Sequence, residues 1–431
     1  MKLAIKGGKP VIKGERFKKY NTIGKEEITA VNEVLKKGVL SGFVGDWSDK
    51  FYGGENVRKI ETYWRKYIHS KYVIAMNSAT SGLYASIGAL GIGPGDEVIV
   101  SPYTMSASVM CVLVYNAVPV FVDVKKDTYC IDPDDIRRKI TDRTKAIVVV
   151  HLFGHPAEMD SVIKIAREYN LKVIEDCAQA PAAIYKGKYV GTIGDIGIFS
   201  LNCHKTIQSG EGGLCTTNDN EIAFRLRLIR NHGEAVVSRQ TKGEREKMLS
   251  NSIVNLIGWN YRMTEMESAV GIEQIKKLEY LNKKRIENCD YLTDKIEDIS
   301  CLSTPIVYEN CRHVYYIYAL RYNSDIARIN RNRFVRAVEA EGVPLSEGYV
   351  KPLYLLDIFQ QKIAYGEKGC PFACPWYKGK VNYVKGICPN VESLHYKELI
   401  ILPTYAYDFT KRDLSLISDA FHKVYENMNK L

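Results

Sequence analysis

Val173-Ile174-Glu175-Asp176-Cys177-Ala178-Gln179-Ala180 opens as an apolar strand and closes on an acid. A second unit of the same kind follows, Gly194-Asp195-Ile196-Gly197-Ile198-Phe199-Ser200, and it closes on a hydroxyl. Then comes Leu201-Asn202-Cys203-His204-Lys205-Thr206-Ile207-Gln208-Ser209-Gly210-Glu211-Gly212-Gly213, a polar loop carrying a lysine and ending in a glycine-rich turn. Short apolar runs of this kind, without polar alternation, are expected for strands buried on both faces. In open α/β sheets ligands sit at the carboxyl ends of such strands. An acid at one strand end, a hydroxyl at the next and a lysine beyond them can therefore converge on one ligand.

The pattern extends in both directions. Further strands are predicted at Glu97–Val100, Val118–Val122, Ala146–His151, Lys172–Glu175, Ile196–Ser200 and Gly213–Thr216, and helices at Ser81–Leu90, Asp134–Ile140 and Glu158–Tyr169. Such alternation predicts an α/β fold whose mainly parallel sheet is covered on both faces. Residues 1–25 read as an extended arm. A helix is predicted over Glu26–Lys37 with Gly38 as its C-cap, and Val39–Gly54 as a loop that covers a site. Residues 263–290 form a long amphipathic helix with Met263, Met266, Ala269, Val270, Ile272, Ile275, Leu278 and Leu281 as apolar members. These readings give a large domain over 26–290 and a smaller C-terminal α/β domain over 291–431, with an irregular insert at about 365–392.

Composition narrows the class. The chain has 431 residues, 46% hydrophobic and 26% charged, which excludes global disorder and favours more than one core. The formal charge of +10 is spread in short patches such as Lys276-Lys277 and Lys283-Lys284-Arg285. No recognition motif accompanies it, so neither nucleic acid nor membrane is an expected partner. A solvated basic face or an anionic small substrate accounts for the surplus. The 11 cysteines are odd in number and irregular in spacing, unlike a disulfide framework. The first residues carry no apolar signal core, and no apolar run approaches the ~20 residues of a bilayer span. A cytoplasmic protein is expected.

Pyridoxal phosphate requires the chemistry that the opening stretch supplies. A lysine amine must bond to the cofactor and shuttle a proton, and a carboxylate must keep the pyridine nitrogen protonated. The phosphate needs hydroxyls and backbone amides, preferably at a helix N-terminus. Asn77-Ser78-Ala79-Thr80-Ser81-Gly82-Leu83 is the upstream candidate for that last part, although a Ser/Thr helix cap predicts the same residues.

With these motifs the chain resembles the DegT/DnrJ/StrS family of sugar aminotransferases. The resemblance rests on the E-D-x-A-Q-A, G-D-x-G-x-F-S and K-x-x-x-x-G-E-G-G runs. It extends to Leu90–Ile99, His151–Pro156, Arg230–Gly233 and Gly258–Met263, and is weakest after about residue 355. It implies a type I aminotransferase fold and homodimers with shared active sites. Lys205 would be the Schiff-base lysine and Asp176 the partner of the pyridine nitrogen. Gln179 would lie by the phenolic oxygen, and Ala79, Thr80 and Ser200 would bind the phosphate. Asn260 would reach the phosphate from the neighbouring subunit.

Some relatives carry histidine in place of the lysine and become dehydratases. Counting back from Gly210-Glu211-Gly212-Gly213 puts Lys205, not His204, at that position, which leaves His204 a supporting role. In Ser101-Pro102-Tyr103-Thr104-Met105-Ser106 the family's stacking aromatic is replaced by Met105, whose thioether can still contact a ring; Tyr103 is a possible substitute. Arg230 and Arg262 are candidates for the donor carboxylate on charge alone, and His313-Val314-Tyr315-Tyr316 resembles a stretch that approaches the active site. Cys370, Cys374, Cys388 and His395 are zinc-ligand types, but their spacing favours packed free thiols and no metal. Trp376, Tyr377 and Tyr383 are expected to shape the substrate pocket.

The implied reaction moves an amine from an amino acid, most often glutamate, to a keto-sugar, expected to be nucleotide-linked, with pyridoxamine phosphate as the intermediate form. A keto-cyclitol acceptor is the alternative, since Lys6-Gly7-Gly8-Lys9-Pro10 resembles relatives acting on such rings. A sugar dehydratase and a non-catalytic pyridoxal-phosphate-binding regulator are the other readings.

Overall fold

The computed structural model describes residues 2–14, 17–45, 48–233 and 256–431. Parts of the expected arm (1, 15–16), of the Val39–Gly54 loop (46–47) and of the large domain (234–255) lie outside them. The central sheet is built from β1 (Tyr72–Met76), β2 (Glu97–Val100), β3 (Val118–Phe121), β4 (Thr144–Val150), β5 (Lys172–Asp176), β6 (Ile196–Ser200) and β7 (Gly213–Thr217). Their order is β1-β7-β6-β5-β4-β2-β3. All strands run the same way except β7, which is antiparallel to both neighbours. Six carboxyl ends therefore share one edge of the sheet.

Helices α1 (Lys25–Lys37), α2 (Glu55–Ile68), α3 (Ala79–Ala89), α4 (Ala107–Val114), α5 (Pro133–Lys139), α6 (Met159–Glu168) and α7 (Asn220–Arg230) surround the sheet. Gly38 ends α1 in the left-handed conformation, φ 69°, as its C-cap role requires. The strands are buried almost throughout, which is why they read as unbroken apolar runs.

Helix α8 (Glu265–Ile296) is 32 residues long and opens with a Thr264–Glu267 capping box. Ile272, Ile275 and Leu278 pack into the core of the central sheet. Cys289, Leu292 and Ile296 pack into a second core. The domain boundary expected at 290 thus falls inside a helix that serves both cores. The second core lies on the antiparallel sheet of β8 (Leu302–Ser303), β9 (Tyr318–Tyr322), β10 (Ser346–Glu347) and β11 (Leu399–Leu402), in the order β8-β9-β11-β10. Helices α9 (Arg331–Ala340) and α10 (Lys411–Tyr425) complete it.

The arm is not free. Leu3 and Ile12 are buried in the second core. Buried Glu341 accepts from the Ala4 and Val11 amides at 2.8 and 3.0 Å and from Lys423 Nζ at 2.7 Å. The insert also departs from expectation, because Phe372 and Tyr383, together with Phe359 just before the insert, pack on Phe121 and the first core. Tyr383 donates to the Pro119 carbonyl at 2.7 Å, and Tyr377 to Glu97 at 2.8 Å. The insert therefore covers the edge strand β3 and reaches the starting end of β2. Edge strands need such cover, since their unpaired backbone groups would otherwise recruit another strand. Among the described residues no helix is long and apolar enough to cross a membrane.

Candidate active site

A cavity of about 410 Å³ opens at the carboxyl ends of the strands. Ala79, Thr80, Met105, Asp176, Gln179, Ser200 and Lys205 all line it. Each arrives at the end of a strand or in the turn that follows one. Asp176 closes β5 and Ser200 closes β6; Ala79 and Thr80 open α3 after β1.

The start of α3 has the form of an anion cradle. Ser78 caps the helix, its hydroxyl accepting from the Ser81 amide at 3.0 Å. The cap reading of this stretch thus holds for Ser78. It leaves Ala79 and Thr80 as the first helical residues, whose N–H groups have no acceptor within the helix, and the helix dipole adds a partial positive charge there. Gly213 makes the approach possible: a Cβ at that position would lie 2.4 Å from the Ser78 carbonyl carbon and 2.5 Å from the Ala79 nitrogen.

Lys205 sits in the loop joining β6 to β7. The loop is closed by backbone bonds from Leu201 to Gly212 and from Cys203 to Gly210, both 2.9 Å. From outside, Tyr20 donates to the Thr206 carbonyl and Arg285 to the Thr206 hydroxyl, each at 2.7 Å. Lys205 Nζ lies 4.7 Å from the centre of the Tyr316 ring, which also lines the cavity. Burial pushes the Lys205 amine below the ordinary lysine value, and the Asp176 carboxylate opposes that shift in part.

Asp176 accepts from Ser108 Oγ at 2.7 Å and from the Ala178 amide at 3.1 Å. Its neighbour Glu175 faces the other way. It accepts from the Gly191, Ile193 and Gly194 amides at 2.6–2.8 Å and pairs with His151 at 3.0 Å. Glu175, His151 and Cys177 bring their ligand-type atoms within 4.8 Å of one another. These bonds engage the Glu175 carboxylate in fastening the loop beneath β5. Gln179 bridges two segments: its carbonyl accepts from the Phe153 amide at 2.8 Å and its amide donates to Tyr349 at 2.9 Å.

Of the remaining candidates, some line the cavity and others do not. Asn260 does not line this cavity; it is exposed, and accepts from Arg262 Nε at 2.8 Å. Arg230 is fully buried under the Phe43 ring and donates to Glu61 at 2.8 Å, so it is a structural ion pair. Tyr103 does not substitute for a stacking ring, because it is buried and its hydroxyl accepts from the Tyr349 amide at 3.0 Å. Met105 is 59% exposed at the cavity wall. His204 is exposed and lines the cavity. The Val39–Gly54 loop packs Phe43 and Phe51 inward, and its described residues do not line the cavity. Nor do Trp376, Tyr377 and Tyr383, which lie with the insert by β2 and β3. Cys370, Cys374, Cys388 and His395 form no ligand cluster among the described residues.

Sequence reasoning missed Ser108, Tyr349, Asn202 and Glu211, all of which line the cavity; Asn202 also donates to Glu211 at 2.9 Å. A hydroxyl spaced four residues after Thr104 was the available signal for Ser108. Tyr349 comes from the second core's side of the chain and carries no local signal.

The geometry agrees with the comparisons to known proteins. The model of the DegT/DnrJ/EryC1/StrS aminotransferase family matches residues 21–400. The chain is 34% identical to GDP-perosamine synthase of Caulobacter vibrioides over 70% of this chain and 78% of that protein. It is 33% identical to L-glutamine:scyllo-inosose aminotransferase of Streptomyces griseus, over 79% and 78%. The crystal structure of an aminotransferase from Psychrobacter cryohalolentis superposes with a TM-score of 0.81 at 31% identity, covering 96% of this chain and all of that one.

Proposed function

The chain belongs to the DegT/DnrJ/EryC1/StrS aminotransferase family of pyridoxal-phosphate enzymes, and from that premise we propose that it carries an amino group from L-glutamate to a nucleotide-linked keto-sugar. One observation carries the site assignment: Lys205, Asp176, Ser200 and the start of α3 line a single cavity. The donor set fits pyridoxal 5'-phosphate. The unpaired first-turn amides and the clearance at Gly213 accommodate a phosphate; Ser200 adds a hydroxyl. Bound there, the cofactor supplies an electron sink that stabilises charge on the carbon being deprotonated.

The chain's own residues do the rest. Asp176 would present its carboxylate to the protonated ring nitrogen. Gln179, clamped between Phe153 and Tyr349, is placed to hydrogen-bond the phenolic oxygen. Lys205 Nζ would hold the cofactor, and as a free neutral amine it would be the base that takes a proton from the donor carbon and returns it elsewhere. Its lowered pKa favours that neutral form. Met105, at the cavity wall, would offer the ring a thioether instead of an aromatic face.

A homodimer accounts for Asn260, which lies outside this chain's cavity and would serve the partner's. Ile28, Leu35, Val39 and Leu40 leave apolar surface exposed on and after α1, as a subunit contact requires. The two relatives above favour different acceptors. The synthase supports a nucleotide-linked sugar, and the scyllo-inosose enzyme supports a keto-cyclitol with glutamine as donor. Cofactor-loaded protein should release 2-oxoglutarate from glutamate and then aminate one member of a panel of nucleotide-linked keto-sugars. Turnover confined to glutamine and scyllo-inosose would replace this reading with the cyclitol one. No release from either donor would reject transamination.

A further inference from the structure

Asp176 is gripped from two directions. Ala178 donates to Oδ1 from two residues along the chain, and Ser108 donates to Oδ2 from the first turn of α4. A carboxylate can only accept, so the single Ser108 hydroxyl proton is committed to Asp176. The 3.1 Å contact between Thr104 Oγ1 and Ser108 Oγ therefore has one direction: Thr104 donates and Ser108 accepts. Ser108 is fully buried and Thr104 nearly so. Thr104 lines the cavity beside Met105. A hydroxyl relay thus joins the turn carrying Met105 to the acid at the end of β5.

We propose that Ser108 is a positioning residue: its hydroxyl fixes the plane of the Asp176 carboxylate toward a cationic ring nitrogen, and Thr104 holds Ser108 in the rotamer that does so. The assignment rests on the reading of Asp176 as the ring-nitrogen partner. The physical need is specific. The carboxylate torsion of an aspartate is broad and nearly two-fold, so the strand alone does not set the direction of its oxygens. The Ala178 amide constrains one oxygen and leaves the second to the Ser108 hydroxyl. The relay also ties the turn carrying Met105 to the end of β5.

The test uses full-length protein stripped of cofactor and titrated with pyridoxal phosphate. Affinity and the pH midpoint of the cofactor's visible absorption band are read for wild type, Asp176→Asn, Ser108→Ala, Ser108→Thr, Ser108→Val and Thr104→Val. Ser108→Ala is expected to weaken binding about tenfold, the scale of one hydrogen bond to a charged group. It should shift the midpoint in the same direction as Asp176→Asn. Ser108→Thr should restore both quantities. Thr and Val at this position have nearly the same shape, so a folded Thr/Val pair isolates the hydroxyl even if the alanine variant fails to fold. Thr104→Val should give a smaller shift of the same sign. Equal affinity and midpoint for Ser108→Thr and Ser108→Val, with Asp176→Asn still altered, would overturn the role of Ser108. A silent Asp176→Asn would instead remove the premise.

Discussion

Lys205 must lose a proton before it can act as nucleophile or base, and its surroundings bias it toward doing so. Burial disfavours the ammonium, while the Asp176 carboxylate favours it and so limits the shift. The sign of each contribution gives a prediction. In protein without cofactor, acylation of Lys205 by a small anhydride should reach half its maximal rate below the ordinary lysine value of 10.5. Asp176→Asn removes the opposing charge and should move the midpoint lower still. Peptide mapping of the labelled lysine across a pH series reads both, and an unshifted midpoint would contradict the burial argument. His204, adjacent in sequence, is exposed and lines the same cavity, so proximity alone does not distinguish the two residues.

At the scale of elements, the site depends on how closely β7 approaches the start of α3. Gly213 pairs with Met76 across the sheet and leaves no room for a side chain against Ser78 and Ala79. Gly213→Ala should lower stability by about 1–3 kcal/mol, the usual cost of overpacking. It should also weaken pyridoxal-phosphate binding, because it displaces the amides that face the phosphate. Thermal denaturation and cofactor titration of the variant measure these effects separately; unchanged affinity would sever the link between Gly213 and the phosphate site. The boundaries of β2 and β6 were legible in the sequence because strands buried on both faces appear as continuous apolar runs. The reversed direction of β7 was not, since a glycine-rich turn permits either direction. Ser108 was hidden for a related reason: its partner Asp176 is 68 residues away, beyond any local pattern. The insert misled because aromatic and cysteine content says what a segment can bury but not which surface it covers.

The whole molecule is held together by contacts distant in sequence. Helix α8 enters both cores, and the first residues are clamped to Glu341, more than 300 positions later. The insert is a late partner of the central sheet, with 264 positions separating Pro119 from Tyr383. During synthesis, β3 emerges long before the segment that covers it. At about 5–20 residues per second the interval is roughly 13–50 s, during which a strand edge that the finished protein conceals is open to other nascent chains. Ribosome-bound chains arrested before residue 383 should therefore co-sediment with one another more than released full-length chains do. Equal association of the two would mean that β3 is guarded by something other than the insert. Cover that arrives late makes the order of translation part of how this sheet stays soluble.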